Sequence, residues 1–188
     1  MNHSDLTHAL ENRSGLPEPL RVLLEQFPRD QWEAHGNFGE LVKFWLSRHV
    51  MFREVLDRLQ SELNAVLWSQ ADFEGYRSRL SRLGGFFLQQ LHGHHTIEDQ
   101  HYFPQLIGLE PNLDRGFTIL DADHHALDAL LHGFADTANT VLKSTDGHRD
   151  HLGALDGELA RLHRCLDRHL NDEEELIVPI ILKSGFNG

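Results

Sequence analysis

Histidine and glutamate recur in an ordered pattern along this chain, and both residue types bind metal ions or transfer protons. The 188 residues include fifteen histidines, which are spread along the sequence rather than grouped in one tract. Two segments, HGHHTIEDQHYFP at 92–104 and DRHLNDEEELIVP at 167–179, share the order His, three residues, Glu, five residues, Pro. This shared order indicates an internal repeat.

Six residues keep one period of 75 residues across the two halves of the chain. The pairs are His49 with His124, His94 with His169, and Glu98 with Glu173. Pro104 and Pro179 keep the same period. Matching histidines could arise by chance in a chain so rich in them, but the joint match of both glutamates and both prolines favours a real duplication.

The elements that carry these residues are predicted to be four long helices. Apolar residues recur at steps of three and four over 36–68, 76–109, 113–142 and 152–182, and strand patterns are essentially absent. Short connections between long helices are typical of an antiparallel four-helix bundle, so the predicted fold class is all-α. We assign residues 36–188 to this bundle and residues 1–35 to an N-terminal arm with one short helix.

The three breaks between the helices contain residues that begin or end helices. Asp72 and either Ser144 or Asp146 are predicted N-caps, and Pro111 suits a first helical turn. The midpoints between His49 and His94, between Glu98 and His124, and between His124 and His169 fall in these three breaks. Residues equidistant from a turn lie at the same height in an antiparallel bundle. All six repeated residues are therefore expected at one level.

This convergence predicts a metal site. Residues four apart on a helix share a face, so His94 with Glu98, and His169 with Glu173, can each point inward together. Four imidazoles and two carboxylates cannot be buried unless something satisfies them, and they form a nitrogen and oxygen ligand set. Six ligands in two equivalent halves suit two metals, each with two histidines and both glutamates as bridges. Zinc would need fewer ligands, so iron, or secondarily manganese, fits better.

The sequence resembles the hemerythrin-like, or HHE cation-binding, family over about residues 38–183. The resemblance is carried by WLSRHVMF, HHTIEDQHYFP, DADHHAL and HLNDEEELIVP. It implies a four-helix bundle around a non-haem di-iron centre, which consists of two iron ions. An oxo or hydroxo bridge between the two ions is compatible with this resemblance. The metal ligands that it implies are His49, His94, Glu98, His124, His169 and Glu173.

One position departs from the oxygen-carrying members of that family. They have a fifth histidine four residues after the one matched by His124, and this chain has Asp128 there. Asp128 could coordinate through oxygen, or it could be a polar core or surface residue. The departure argues against simple reversible oxygen carriage and favours similarity to bacterial proteins of nitric oxide or oxygen response. Relatives that repair iron–sulfur centres often carry an N-terminal cysteine module, and the arm has no cysteine.

Several neighbouring residues have competing interpretations. His95 and His125 each follow a proposed ligand and are predicted to point about 100° away from it, with replacement of that ligand as the alternative if the helix is rotated. The spacing places His101 on the inward face, as a residue near the metals, as a surface or satisfied core histidine, or as a ligand. Cys165 is predicted to be a small buried apolar residue. Glu98 and His101 also match the Glu-x-x-His signature of ferritin-like bundles, but that site requires a second copy, which the chain lacks.

Composition narrows the function further. The net charge of −12 argues against nucleic-acid binding. The absence of a long apolar run or a signal sequence argues against membrane insertion and secretion. Cys165 is the only cysteine, which excludes an internal disulfide and fits a cytoplasmic location. The sequence thus predicts a di-iron protein that binds O₂ or NO for sensing, storage or stress response. The first alternative is an oxidoreductase or iron-centre repair protein acting on NO, O₂ or peroxide, and the least favoured is metal storage or transport. The sequence does not determine protein partners or enzymatic activity.

Overall fold

The computed structural model describes residues 9–69, 72–144 and 149–188. Within these ranges the chain forms helices and turns and no strand, as predicted. The described residues form six α-helices: α1 (Val22–Gln26), α2 (Glu40–Ser69), α3 (Phe73–Ile97), α4 (Phe103–Leu109), α5 (Asp114–Lys143) and α6 (Arg149–Ser184). A π-helical segment, Glu98–Tyr102, joins α3 to α4, and short 3₁₀ turns occupy Glu18–Leu20, Arg29–Gln31 and Pro111–Leu113.

The four long helices form the predicted bundle. Helix α2 packs against α3 and α6, and α5 packs against the same two helices, so that each long helix has two neighbours. Helices α5 and α6 are in close contact at Gly116, where a Cβ atom would lie 2.7 Å from Cδ2 of Leu176. Even an alanine at this position would displace the leucine side chain.

Some of the predicted helix-capping residues lie at helix ends in the structure. The Asp72 side chain caps α3 by accepting a hydrogen bond from the backbone N–H of Gly75 at 3.0 Å, as the sequence predicts. Pro111 begins the 3₁₀ turn that leads into α5. Ser144 is the residue that follows the end of α5, and the described part of α6 begins at Arg149. Asp146 lies outside the described residues.

The π-helical segment breaks the symmetry between the two repeats. Pro104 has no N–H to donate, and the backbone N–H of Phe103 bonds to the carbonyl of Glu98, five residues back. The equivalent Pro179 lies inside α6, which runs on to Ser184. The chain after Glu98 is therefore rotated relative to a regular helix, whereas the chain after Glu173 is not.

The core consists of two apolar clusters with a polar layer between them. One cluster contains Phe52, Leu91 and Leu127; the other contains Trp45, Leu120 and Leu176. His124 lies between Leu120 and Leu127 on α5 and is itself buried. The arm packs Leu16, Leu20, Leu23 and Trp32 into the second cluster.

Candidate metal centre

The structure brings the six repeated residues together in the polar layer. The closest contact joins Nε2 of His94 to Oε1 of Glu98, at 2.9 Å. Nε2 of His49 lies 3.2 Å from Nε2 of His94 and 3.6 Å from Oε2 of Glu173. On the other side, Nε2 of His169 lies 3.4 Å from Oε2 of Glu173. The repeated residues, which the sequence places at equal distances from the turns, therefore do lie at one level of the bundle.

His95 also faces the interior, contrary to the sequence prediction. Its side chain is 4% exposed, and its ring stacks on that of His124 with centroids 4.0 Å apart. The prediction failed because α3 lies between two neighbours. Successive side chains are about 100° apart, so His94 turns toward α2 and His95 toward α5, and both point into the bundle.

The five buried or nearly buried histidines form two groups of unequal size. His95, His124 and His169 form one group, in which the ligand atoms lie within 4.8 Å of one another. His49 and His94 form the other group, together with Glu98 and Glu173, within the same distance. The chain thus offers three imidazoles on one side and two on the other, rather than the two equal pairs expected from the repeat.

Three of these imidazoles are oriented by carboxylates on their outer side. In each case the contact is through Nδ1, which leaves Nε2 facing the polar layer. The contacts are His49 with Glu174 at 3.0 Å, His124 with Asp99 at 2.8 Å, and His169 with Asp123 at 3.3 Å. A histidine that ligates a metal usually donates its second ring nitrogen to such a partner, which fixes the tautomer and the ring orientation.

Arginines hold two of these outer carboxylates in place. Arg13, from the arm, forms a bidentate ion pair with Asp123 and donates from Nε to Asp172 at 2.7 Å. Arg29 and Arg53 donate to Glu174 at 2.5 and 2.9 Å. Sequence reasoning missed these residues, because no spacing rule relates an arginine in the arm to a carboxylate 110 positions away.

The pKa values of the two central glutamates are shifted in opposite directions. Burial raises the pKa of Glu173, but the charges of His49 and His169 outweigh burial and hold it well below the usual value. Burial, and then the charge of Glu173, raise the pKa of Glu98 well above its usual value. Without a cation the two carboxylates cannot easily ionise together; a bound cation would allow both to act as ligands.

Several buried atoms in this layer have no hydrogen-bond partner among the described residues. They are both ring nitrogens of His95, Nε2 of His124 and of His169, both carboxylate oxygens of Glu98, and Oε2 of Glu173. Buried polar groups left without partners are costly, and here they converge from several helices. Neutral imidazole nitrogens and carboxylate oxygens are a donor set for transition metals. The residues present therefore fit a metal.

The surroundings of Glu173 and Glu98 differ. The indole of Trp45 donates to Oε1 of Glu173 at 2.7 Å, which leaves Oε2 for the histidines. Glu98, in contrast, borders a cavity of about 370 Å³ that also reaches His94. Access from solvent is therefore on the side of the two-histidine group.

The remaining candidates lie away from this layer. His101 is exposed, because the π-helical segment rotates it outward. Asp128 is half-buried and lines a surface groove with His92 and His132, so it does not occupy the place of a fifth histidine. Cys165 is buried in an apolar cluster, as predicted, and burial raises the pKa of its thiol.

Comparison with known proteins identifies the family. No curated protein and no solved structure matches the chain significantly. The described part of the chain includes no helix with the length and apolar character needed to cross a membrane. A family model, the hemerythrin HHE cation binding domain, matches residues 40–181, which contain all the buried histidines of the polar layer. The chain therefore belongs to the hemerythrin HHE cation-binding domain family.

Proposed function

We propose that this protein holds two iron ions in the polar layer and binds O₂ or NO there. The observation that carries the proposal is the position of the glutamates between the two histidine groups. Glu98 contacts His94 on one side and His124, at 3.7 Å, on the other. Glu173 contacts His49 and His169 in the same way. Each carboxylate thus reaches both groups, as a bridge between two metals must.

The donor set supports iron over zinc. Structural zinc sites are mostly tetrahedral and closed, with thiolates as frequent ligands. This layer offers five imidazoles and two carboxylates, and no cysteine sulfur is part of either group. Seven donors of this kind suit two metals with higher coordination numbers. In the proposed assignment, His95, His124 and His169 hold one iron, and His49 and His94 hold the other.

The two-histidine side is the proposed site of ligand binding. It offers one imidazole fewer than the other side, and the cavity beside His94 and Glu98 gives access from solvent. Bound iron would supply the electrons and the coordination position for a diatomic ligand. The chain supplies the apolar surroundings. Trp45 and Phe52 flank His94 with aromatic surface, which limits water around its imidazole.

The alternative function is an oxidoreductase that converts O₂, NO or peroxide at the same site. The cavity supports this alternative, because its volume is larger than a diatomic molecule and would also admit a larger substrate. Binding and turnover would use the same metal ligands, so the two functions differ only in whether the added molecule is released unchanged or converted.

The test begins with metal analysis of protein made in iron-replete cells, with about two iron atoms per chain expected. One zinc atom, or none of either metal, would overturn the proposal. The protein is then reduced without oxygen and titrated with O₂ or NO under optical spectroscopy. A stable, reversible adduct supports binding, whereas immediate oxidation with continued consumption of the added gas supports the enzymatic alternative. His101→Ala serves as a control that should behave as the parent protein.

A further inference from the structure

The cavity beside the polar layer has walls suited to an aromatic ring. Its volume, about 370 Å³, lies in the range of small-molecule sites. Phe44, Trp45 and Tyr102 contribute three aromatic rings to its lining, and Ile97 contributes an aliphatic side chain. Trp45 and Tyr102 meet edge to face, with ring centroids 4.9 Å apart. Since a dry apolar cavity of about 150 Å³ suffices for benzene, this one has room for a substituted ring.

Two large apolar residues of the cavity wall are exposed to solvent. Phe44 is 63% exposed and Ile97 is 50% exposed. Both residues also line the cavity, so apolar area continues from its mouth to its interior. Exposed apolar area that runs into a cavity is typical of a ligand-binding site.

Arg48 places a positive charge on the wall. Its guanidinium donates to Oε1 of Gln90 at 2.7 Å and lies 5.2 Å from the centroid of the Phe52 ring. Among the residues that the structure describes, no carboxylate lies within ion-pair distance of Arg48. Arg13, Arg53 and Arg79, by comparison, are all paired with carboxylates.

From these contacts we propose that the cavity binds a small aromatic carboxylate. The ring of this ligand packs between Phe44, Trp45 and Tyr102, and its carboxylate pairs with the guanidinium of Arg48. Arginine is suited to this role, because its planar fork matches a carboxylate and its position is already fixed by Gln90 and Phe52. In a chain of net charge −12, an anion would otherwise find little attraction. These contacts involve the cavity wall alone and do not depend on which metal the polar layer holds.

Gly93 provides a way to block the cavity without disturbing the fold. It lines the cavity, and a Cβ atom added there would meet nothing within 4 Å. Gly93→Leu should therefore fill the cavity while remaining compatible with helix α3. Gly85, on the same helix, also has open space around its Cβ position and does not line the cavity. Gly85→Leu is the matched control.

The experiment is calorimetric titration of the purified protein with benzoate, acetate and benzyl alcohol. Benzoate should bind at least about tenfold more tightly than either of the others, since it alone carries both the ring and the charge. Arg48→Gln should weaken benzoate binding by about tenfold, whereas Arg82→Gln, which removes the same charge from an exposed position, should not. Gly93→Leu should abolish binding, and Gly85→Leu should preserve it.

Several results would overturn the proposal. Equal affinity for acetate would mean that the carboxylate binds a metal or a general anion site. Equal affinity for benzyl alcohol would mean that Arg48 does not take part. Normal benzoate binding by folded Gly93→Leu would place the ligand elsewhere. None of these results would alter the metal content, so failure of this proposal is separable from failure of the di-iron proposal.

Discussion

Arg13 and Asp123 form a buried, bidentate ion pair that joins the arm to the polar layer. Both side chains are almost fully enclosed, and Asp123 also contacts Nδ1 of His169. An arginine outside residues 40–181, the part of the chain that matches the family, thus determines the environment of a proposed ligand on α6. The arm is in this way part of the polar layer's support.

Arg13→Gln should lower both stability and metal affinity. Breaking a buried ion pair leaves an uncompensated charge and costs about 3 kcal/mol, and loss of such an outer contact weakens metal binding by about tenfold or more. Denaturant unfolding and metal competition with a chelator measure the two effects. Arg21→Gln, in an exposed part of the arm, is the control. Identical behaviour of the two variants would show that the ion pair does not support the site.

Removal of the metal should destabilise the bundle markedly. The atoms without partners in the polar layer would then have to be hydrated or protonated inside the core. We expect the thermal midpoint of chelator-treated protein to fall and to recover on addition of ferrous iron under anaerobic conditions. An unchanged midpoint in protein verified as metal-free would contradict this coupling.

His124→Ala should lose metal, while His125→Ala should retain it. His124 is buried in the layer, whereas the side chain of His125 is 80% exposed and lies 4.0 Å from Asp121. Metal analysis and thermal unfolding of both variants provide the comparison. The reverse result would mean that α5 is rotated about its axis, with His125 rather than His124 in the layer.

His95→Ala should chiefly weaken the metal of the three-histidine group. One of the two metals should then be removed by a chelator at lower concentration than in the parent protein, because a donor is lost from one side only. His92→Ala, on the same helix and away from the layer, should have the parent's metal content. Full retention of both metals by His95→Ala would assign His95 a structural role.

Glu98→Ala should release both metals rather than one. Glu98 contacts histidines of both groups, so its loss affects both sides. His49→Ala, which lies within one group, should mainly weaken one metal. Stepwise chelation with metal counts at each step distinguishes these patterns. Independent and equal loss in both variants would exclude a bridging role for Glu98.

The repeat in the sequence was enough to predict the bundle and the meeting of six residues, because helix period and turn position fix the height of a residue. It could not predict His95, whose inward direction depends on which helices flank α3. Nor could it predict the outward turn of His101, since one π-helical segment changes every later direction on that helix. The role of Arg13 could not be predicted either, because its contact with Asp123 depends on the path of the arm.

The polar layer that separates the two apolar clusters has a consequence for cooperativity. The two clusters meet across a layer of imidazoles and carboxylates rather than across continuous apolar contact. Bound metals would tie all four long helices together at the junction. With the metals in place the bundle is expected to unfold as one unit. Without them the transition at the lowered midpoint is expected to be less cooperative, because its two ends are coupled less tightly.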